Sequence, residues 1–307
     1  MMLRNVLCIF CAGIILIGIN TGAMAQDVSQ VQDDWDPPSA GPVTTWTAPL
    51  CGKGKFVIQP FVFYNRTRGS FDEDGHYGSL TEGEAKSQYQ QQLFMQYGLT
   101  DTLEIDGQAV YQENFIKSAE GKARDNGFGD SYLFLRYCAF EEKGLRPQIT
   151  ALAQLKMPTG KYQHLDSNKL GTDSMGAGSW DPGAGLIMTK KFKPFIFHAD
   201  AAYSFPQRTL IDGFAVRYAN YLNYDFGLEY FLPRGFSIVL EANGFLQGDK
   251  KEGSDKLPSS GVSYISVSPG FGWSCQKAQF LLAYQRVVAG VNTDANDSIV
   301  LTAVYAF

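Results

Sequence analysis

From Lys55 to Phe307 apolar and polar side chains alternate with a period of two, the spacing that sends successive residues of an extended strand to opposite faces. Leu103, Ile105, Gly107, Ala109 and Tyr111 share one face, and Glu104, Asp106, Gln108, Val110 and Gln112 share the other. Phe195, Phe197, Ala199, Ala201 and Tyr203 likewise oppose Ile196, His198, Asp200, Ala202 and Ser204. Tyr224, Phe226, Leu228 and Tyr230 oppose Asp225, Gly227, Glu229 and Phe231. The alternation predicts twelve strands, near 55–66, 88–99, 103–115, 128–140, 146–157, 178–190, 195–206, 216–231, 236–247, 261–274, 278–289 and 297–307. They run to roughly ten residues or more, whereas strands of soluble sheets usually run to about five or six.

Connections between these strands alternate in length. Those at 100–102, 141–145, 191–194, 232–235 and 274–277 are short, and those near 67–87, 116–127, 158–177, 207–215, 248–260 and 290–296 are longer and hold Gly, Asp, Lys and Ser. Short turns at one rim, long loops at the other and an even strand number are the arrangement of an outer-membrane barrel. The predicted fold is all-β: a transmembrane antiparallel up-and-down β-barrel of about 12 strands over 55–307, with short periplasmic turns and longer extracellular loops. Charges on the second face suit a hydrated lumen and would be costly against hydrocarbon. The competing fold is a secreted β-sandwich, which needs apolar faces that pack on each other. Residues 26–54, with Asp33-Asp34, Pro37-Pro38 and Gly41-Pro42, carry no sustained period. They read as an N-terminal periplasmic segment that caps the barrel or enters it as a plug.

Residues 1–25 have the form of a secretory signal peptide, with Arg4, an apolar stretch from Val6 to Ile19, and Ala23-Met24-Ala25 placing cleavage between Ala25 and Gln26. The apolar stretch is shorter than the roughly 20 residues of a spanning helix, and no later segment supplies one. The final strand puts Ile299, Leu301, Ala303, Tyr305 and Phe307 on one face. It resembles the C-terminal signal by which bacterial outer-membrane barrels are recognised for assembly, with Tyr305 and Phe307 as its closing aromatics. The expected location is the outer membrane, and the expected partners are its lipid and the barrel assembly machinery. Composition supports this, because aromatics reach 14% while charged residues are only 19%, below the roughly 25% of a soluble globular chain. With a net charge of -5 and no basic tract, nucleic acid is excluded as a partner. Beyond the signal peptide Cys51, Cys138 and Cys275 remain, so at most one disulfide can form. Cys51 and Cys275 fall at the same periplasmic rim, but the two strands between them favour unpaired thiols.

Gly127-Phe-Gly-Asp130 leads into Leu133, Leu135, Arg136 and Tyr137; Leu155-Lys-Met-Pro-Thr-Gly160 follows, then Leu170-Gly-Thr and the run from Gly176 to Gly185. In this order the blocks resemble those of the outer-membrane transporters linked to meta-cleavage phenol degradation. The resemblance implies a barrel with a transporter-like role, usually suggested for hydrophobic aromatic compounds.

In the strand phase given above, the lumen receives Glu104, Asp106, Asp130, Asp200, Asp225, Glu229 and Glu241 together with Arg136, Lys156 and His198. An excess of acids argues against an anion-selective pore, so the expected function is a channel or transporter for small neutral, hydrophobic or cationic solutes. The alternative is a structural or adhesive barrel with no conductive path, its interior filled by ion pairs that join Asp130 to the neighbours of Arg136. A barrel lipid hydrolase comes third, since it needs a histidine facing lipid beside a serine. His76 and His164 fall in loops and His198 takes the lumenal phase, so no enzyme is expected. No phosphate cradle or cofactor motif is present, and Asp72-Glu73-Asp74-Gly75-His76 lacks the spaced ligands of a calcium loop.

Overall fold

The computed structural model describes residues 35–307. The expected signal peptide and the Ala25–Gln26 junction lie outside the described residues. Twelve antiparallel strands follow one another around a closed barrel: β1 (Phe56–Phe71), β2 (Ala85–Gly98), β3 (Leu103–Ser118), β4 (Ser131–Phe140), β5 (Gln148–Met157), β6 (Asp181–Phe192), β7 (Phe195–Ser204), β8 (Tyr221–Phe231), β9 (Phe236–Gln247), β10 (Val262–Cys275), β11 (Ala278–Val291) and β12 (Thr293–Ala306). β12 returns to β1, with Val57 opposite Ala306 and Arg66 opposite Asp297. Closure leaves no open edge, as a sheet in hydrocarbon requires, because each unpaired peptide group there costs several kcal/mol. The barrel strands hold 10 to 16 residues, enough to cross a bilayer at a tilt.

Beyond the wall, Tyr77–Ser79 and Gly121–Phe128 extend the ladders of β1 and β3. Thr209–Ile211, Phe214–Arg217, Lys251–Glu252 and Asp255–Lys256 form a small separate sheet among the long loops. Strand starts differ from expectation by up to five residues, and two of these differences have a visible cause. The strand expected at 128–140 divides at Gly129-Asp130, where the Asp130 carboxylate turns to the N–H groups of Gly160 and Ala177, and β4 begins at Ser131. β8 begins at Tyr221 rather than 216, because Phe214–Arg217 pairs with loop strands.

Closure fixes the phase of every strand. On β12, Ser298, Val300, Thr302 and Val304 are buried while Ile299, Leu301 and Tyr305 are exposed. The exposed set is aliphatic through the middle of the wall, at Leu133, Leu135, Leu186, Ile238, Leu240, Leu282 and Leu301. Rings gather at the ends: Tyr137, Phe192, Trp273, Phe280 and Phe307 toward the short turns, and Tyr64, Tyr89, Tyr111, Tyr203 and Tyr284 toward the long loops. An apolar band between two aromatic girdles is the surface of a barrel in lipid. Leu240, outward in the middle of β9, is predicted to cost about 2–4 kcal/mol as Leu240→Arg, against about 0–1 kcal/mol for Leu145→Arg in a short turn. Guanidinium titration of the two variants folded into phospholipid vesicles checks this, and equal costs would contradict a lipid-facing β9.

Candidate functional site

Residues 37–51 run inside the barrel. Pro37, Pro38, Pro42 and Pro49 lack N–H donors and keep the segment out of the wall, so its remaining buried N–H groups need other acceptors. Inward side chains of the wall supply them. Ser39 Oγ donates to Glu229 of β8 at 2.8 Å, and the Ala40 N–H donates to Gln279 of β11 at 2.7 Å. The N–H groups of Thr44 and Thr45 share one oxygen of Glu241 on β9, at 2.9 and 2.7 Å. The Trp46 N–H donates to Asp200 of β7 at 3.0 Å, the Ala48 N–H to Thr189 of β6 at 2.9 Å, and the Cys51 N–H to Glu104 of β3 at 2.6 Å. Glu229, Gln279 and Glu104 lie near the short-turn ends of their strands, and Glu241 and Asp200 lie further in. The segment thus climbs to Thr44–Trp46 and returns to the same rim. Val43, 2% exposed, seats it on Val239, Leu281, Ala283 and Val300.

Arg136 of β4, fully buried, ties this segment to the wall. Its Nη1 donates to Glu104 at 2.7 Å, and its Nη2 donates to the carbonyls of Thr47 and Pro49. Asp106 lies 3.7 Å from Nη1, and its carboxylate oxygens have no hydrogen-bond donor among the described residues. At the rim, burial and then the Glu104 carboxylate push the Cys51 thiol up to about 12. Cys51, Cys138 and Cys275 are all free, and Cys275 is exposed. Because the thiolate is the nucleophile, maleimide at pH 8 is predicted to label Cys275 at least about a hundredfold faster than Cys51. Peptide mass spectrometry reads the ratio, and equal rates would contradict the protected setting of Cys51.

His198 is held at 3.0 Å on each side, by Thr189 at Nδ1 and by Glu229 at Nε2. A hydroxyl, an imidazole and a carboxylate in line invite comparison with a catalytic triad. Here Thr189, His198 and Glu229 are all buried, and Thr189 Oγ1 already accepts the Ala48 N–H. Through Thr189 to Ala48 and Glu229 to Ser39, the trio anchors the inner segment. Among the described residues Asp225 makes no hydrogen bond to the segment and accepts instead from Asn243 at 3.0 Å.

Asp130 and Lys156 belong to a different cluster, at the long-loop end. Contrary to the interior pairing expected from sequence, Asp130 does not join the Arg136 group: it lies 3.7 Å from Lys156, which is 2.6 Å from Asp181. Asp130 also accepts the Gly160 and Ala177 N–H groups at 3.1 and 2.9 Å. The sequence blocks around Gly129, Gly160 and Gly176 therefore meet in one place. A Cβ on Gly160 would lie 2.8 Å from Gly176 N, so the two loop arms approach this closely only as glycine. The loop continues inward, where Gln112 donates to the Met175 carbonyl at 3.3 Å and Asn114 to that of Thr172 at 3.0 Å.

Within the barrel lies a cavity of 370 Å³. Phe61, Phe63, Phe94, Tyr132, Phe134 and Trp46 line it with rings, and Gln92, Gln108, Gln154, Asn223, Asn243 and Gln285 line it with amides. Sequence reasoning put none of these forward as site residues, although the inward phase of Gln108 was visible. In the loop after β1, Asp72 accepts the N–H groups of His76 and Asp74 at 2.8 and 3.0 Å, and the His76 N–H chiefly holds its carboxyl below the usual range. No cluster of three or more His, Cys, Asp or Glu suited to a metal occurs among the described residues.

The barrel resembles that of an outer membrane channel from Pseudomonas putida F1, with a TM-score of 0.71 and 15% identity over 88% of this chain and 100% of that one. Weaker likenesses are to the NanC porin, with a TM-score of 0.49 and 9% identity over 81% and 98% of the two chains, and to the translocator domain of the autotransporter NalP from Neisseria meningitidis, with a TM-score of 0.46 and 11% identity over 83% and 89%. No curated protein matches the chain. The fold is that of an outer-membrane β-barrel. Residues 87–302, well over half of the sequence, match the model of the family described as "Putative MetA-pathway of phenol degradation", and the chain belongs to that family.

Proposed function

We propose that the protein is an outer-membrane channel for small uncharged solutes, hydroxylated aromatics among them, and that it rests closed by residues 37–51. In this reading residues 1–25 are the export leader, 26–54 the plug region and 55–307 the barrel, with Tyr305 and Phe307 as its assembly signal. The observation that carries the proposal is the 370 Å³ cavity, whose lining interleaves aromatic rings with side-chain amides and holds Arg136, Asp200 and Asp225 as its charged groups. A phenolic solute presents a ring face and a hydroxyl, and side-chain amides both donate to and accept from a hydroxyl without adding charge. The phenol-degradation family and the channel from Pseudomonas putida F1 support the same direction.

The excess of lumenal acids loses its weight as an argument for cations. Glu104, Asp200, Glu229 and Glu241 are engaged by the inner segment, and Asp106 and Asp130 stand beside Arg136 and Lys156. An uncharged solute meets no such competition. The test is influx of catechol and of benzenesulfonate into vesicles whose lipopolysaccharide leaflet slows unassisted diffusion. Catechol is expected to enter at least about tenfold faster than the sulfonate, a difference of about 1.4 kcal/mol. Catechol influx equal to that of protein-free vesicles overturns the proposal and favours a structural barrel.

A further inference from the structure

We infer that the lumen contains a binding slot for a planar, uncharged aromatic ring, and that the indole of Trp46 fills this slot in the closed state. The inference rests on the channel reading above and adds what recognises the solute and how its arrival bears on the plug. Lumenal faces of membrane barrels are polar as a rule. Phe94 of β2 and Phe134 of β4 nevertheless point inward, and they are only 9% and 5% exposed. Trp46 covers them. Its ring meets Phe94 at 5.3 Å and 84° and Phe134 at 4.9 Å and 67°, the edge-to-face geometry that aromatic rings prefer. The Arg136 guanidinium sits 5.3 Å from the same ring. Phe94, Phe134 and Trp46 all line the 370 Å³ cavity, so the slot opens where a solute would arrive.

The plug's other anchors are chemically plain. They are backbone N–H and carbonyl groups, small hydroxyls and the Val43 side chain, and Trp46 is the only aromatic residue between Asp36 and Lys55. The one ring of the segment from Pro37 to Cys51 therefore sits in an aromatic recess of the lumen wall. An arriving aromatic recovers the edge-to-face and cation–π contacts that Trp46 gives up, whereas a saturated ring of similar size recovers none of them. Exchange does not stop at the slot. Trp46 contacts Arg136, Arg136 donates to Glu104, and Glu104 accepts the Cys51 N–H, so displacing the indole loosens the path that holds the rim end of the plug.

The test uses the full-length protein in detergent micelles, indole as the probe and cyclohexanol as the saturated control. Maleimide labelling of Cys51, relative to Cys275 on the same molecule, is read by peptide mass spectrometry. Saturating indole is expected to raise the ratio at least about tenfold, or about 1.4 kcal/mol, and cyclohexanol to leave it unchanged. W46A is expected to start with the raised ratio and to ignore indole. F134L, checked for folding by heat-modifiable migration, keeps an apolar recess without its ring and is expected to lose the indole response. No indole response in the wild type, an equal response to cyclohexanol, or a full response in F134L overturns the slot. Failure of the channel reading looks different: catechol influx is absent while the indole response persists.

Discussion

Arg136→Met is expected to destabilise the folded barrel by about 3–5 kcal/mol, because it removes the cation that lies beside two buried carboxylates. Glu104 and Asp106 sit at alternate inward positions of β3, 0% and 1% exposed. Without the guanidinium both must be protonated or face each other in a medium that screens poorly. The loss also frees the carbonyls of Thr47 and Pro49. Guanidinium titration in vesicles measures the cost. Arg136→Lys is expected to recover only part of it, since an ammonium cannot serve Glu104 and two carbonyls with a planar fork. Arg136→Met combined with Asp106→Asn is expected to recover more than the single variant by removing one of the stranded charges. A neutral Arg136→Met would mean that the Glu104 cluster does not hold the plug.

The wall was legible in the sequence because its rule is local. A period of two puts Ile299, Leu301 and Tyr305 in lipid and Ser298, Val300 and Thr302 inside, and the terminal strand obeys it in the structure. The inward phase of Glu104, Asp106, His198, Asp200, Glu229 and Glu241 could be read in the same way. What those side chains meet could not. Ser39 reaches Glu229 and Ala40 reaches Gln279 across most of the chain, and no local spacing encodes such partners. The plug itself lacks periodicity, so its path is set by whichever inward acceptors its free N–H groups find. Thr189 and Gln279 lay in predicted strands without any mark that set them apart, and Asp181 was visible only as part of a glycine-rich run. Counting acids says nothing of their availability, and most of those carboxylates are engaged by the inner segment or by Arg136 and Lys156.

Removing residues 37–50 is expected to convert a silent barrel into an open one. The deletion withdraws the side chains that fill the space beside Val239, Leu281 and Phe134 and leaves Glu241 and Asp200 to water, so the lumen hydrates from the short-turn rim to the cavity. Freed of the plug, those carboxylates line the passage, and its current is expected to favour cations. The most direct test is single-channel recording in planar bilayers of the wild type and the 37–50 deletion, each first shown to be folded by heat-modifiable migration. Rare or no steps from the wild type and regular, cation-preferring steps from the deletion are the predicted result. A folded deletion as silent as the wild type would contradict a lumen closed by residues 37–51.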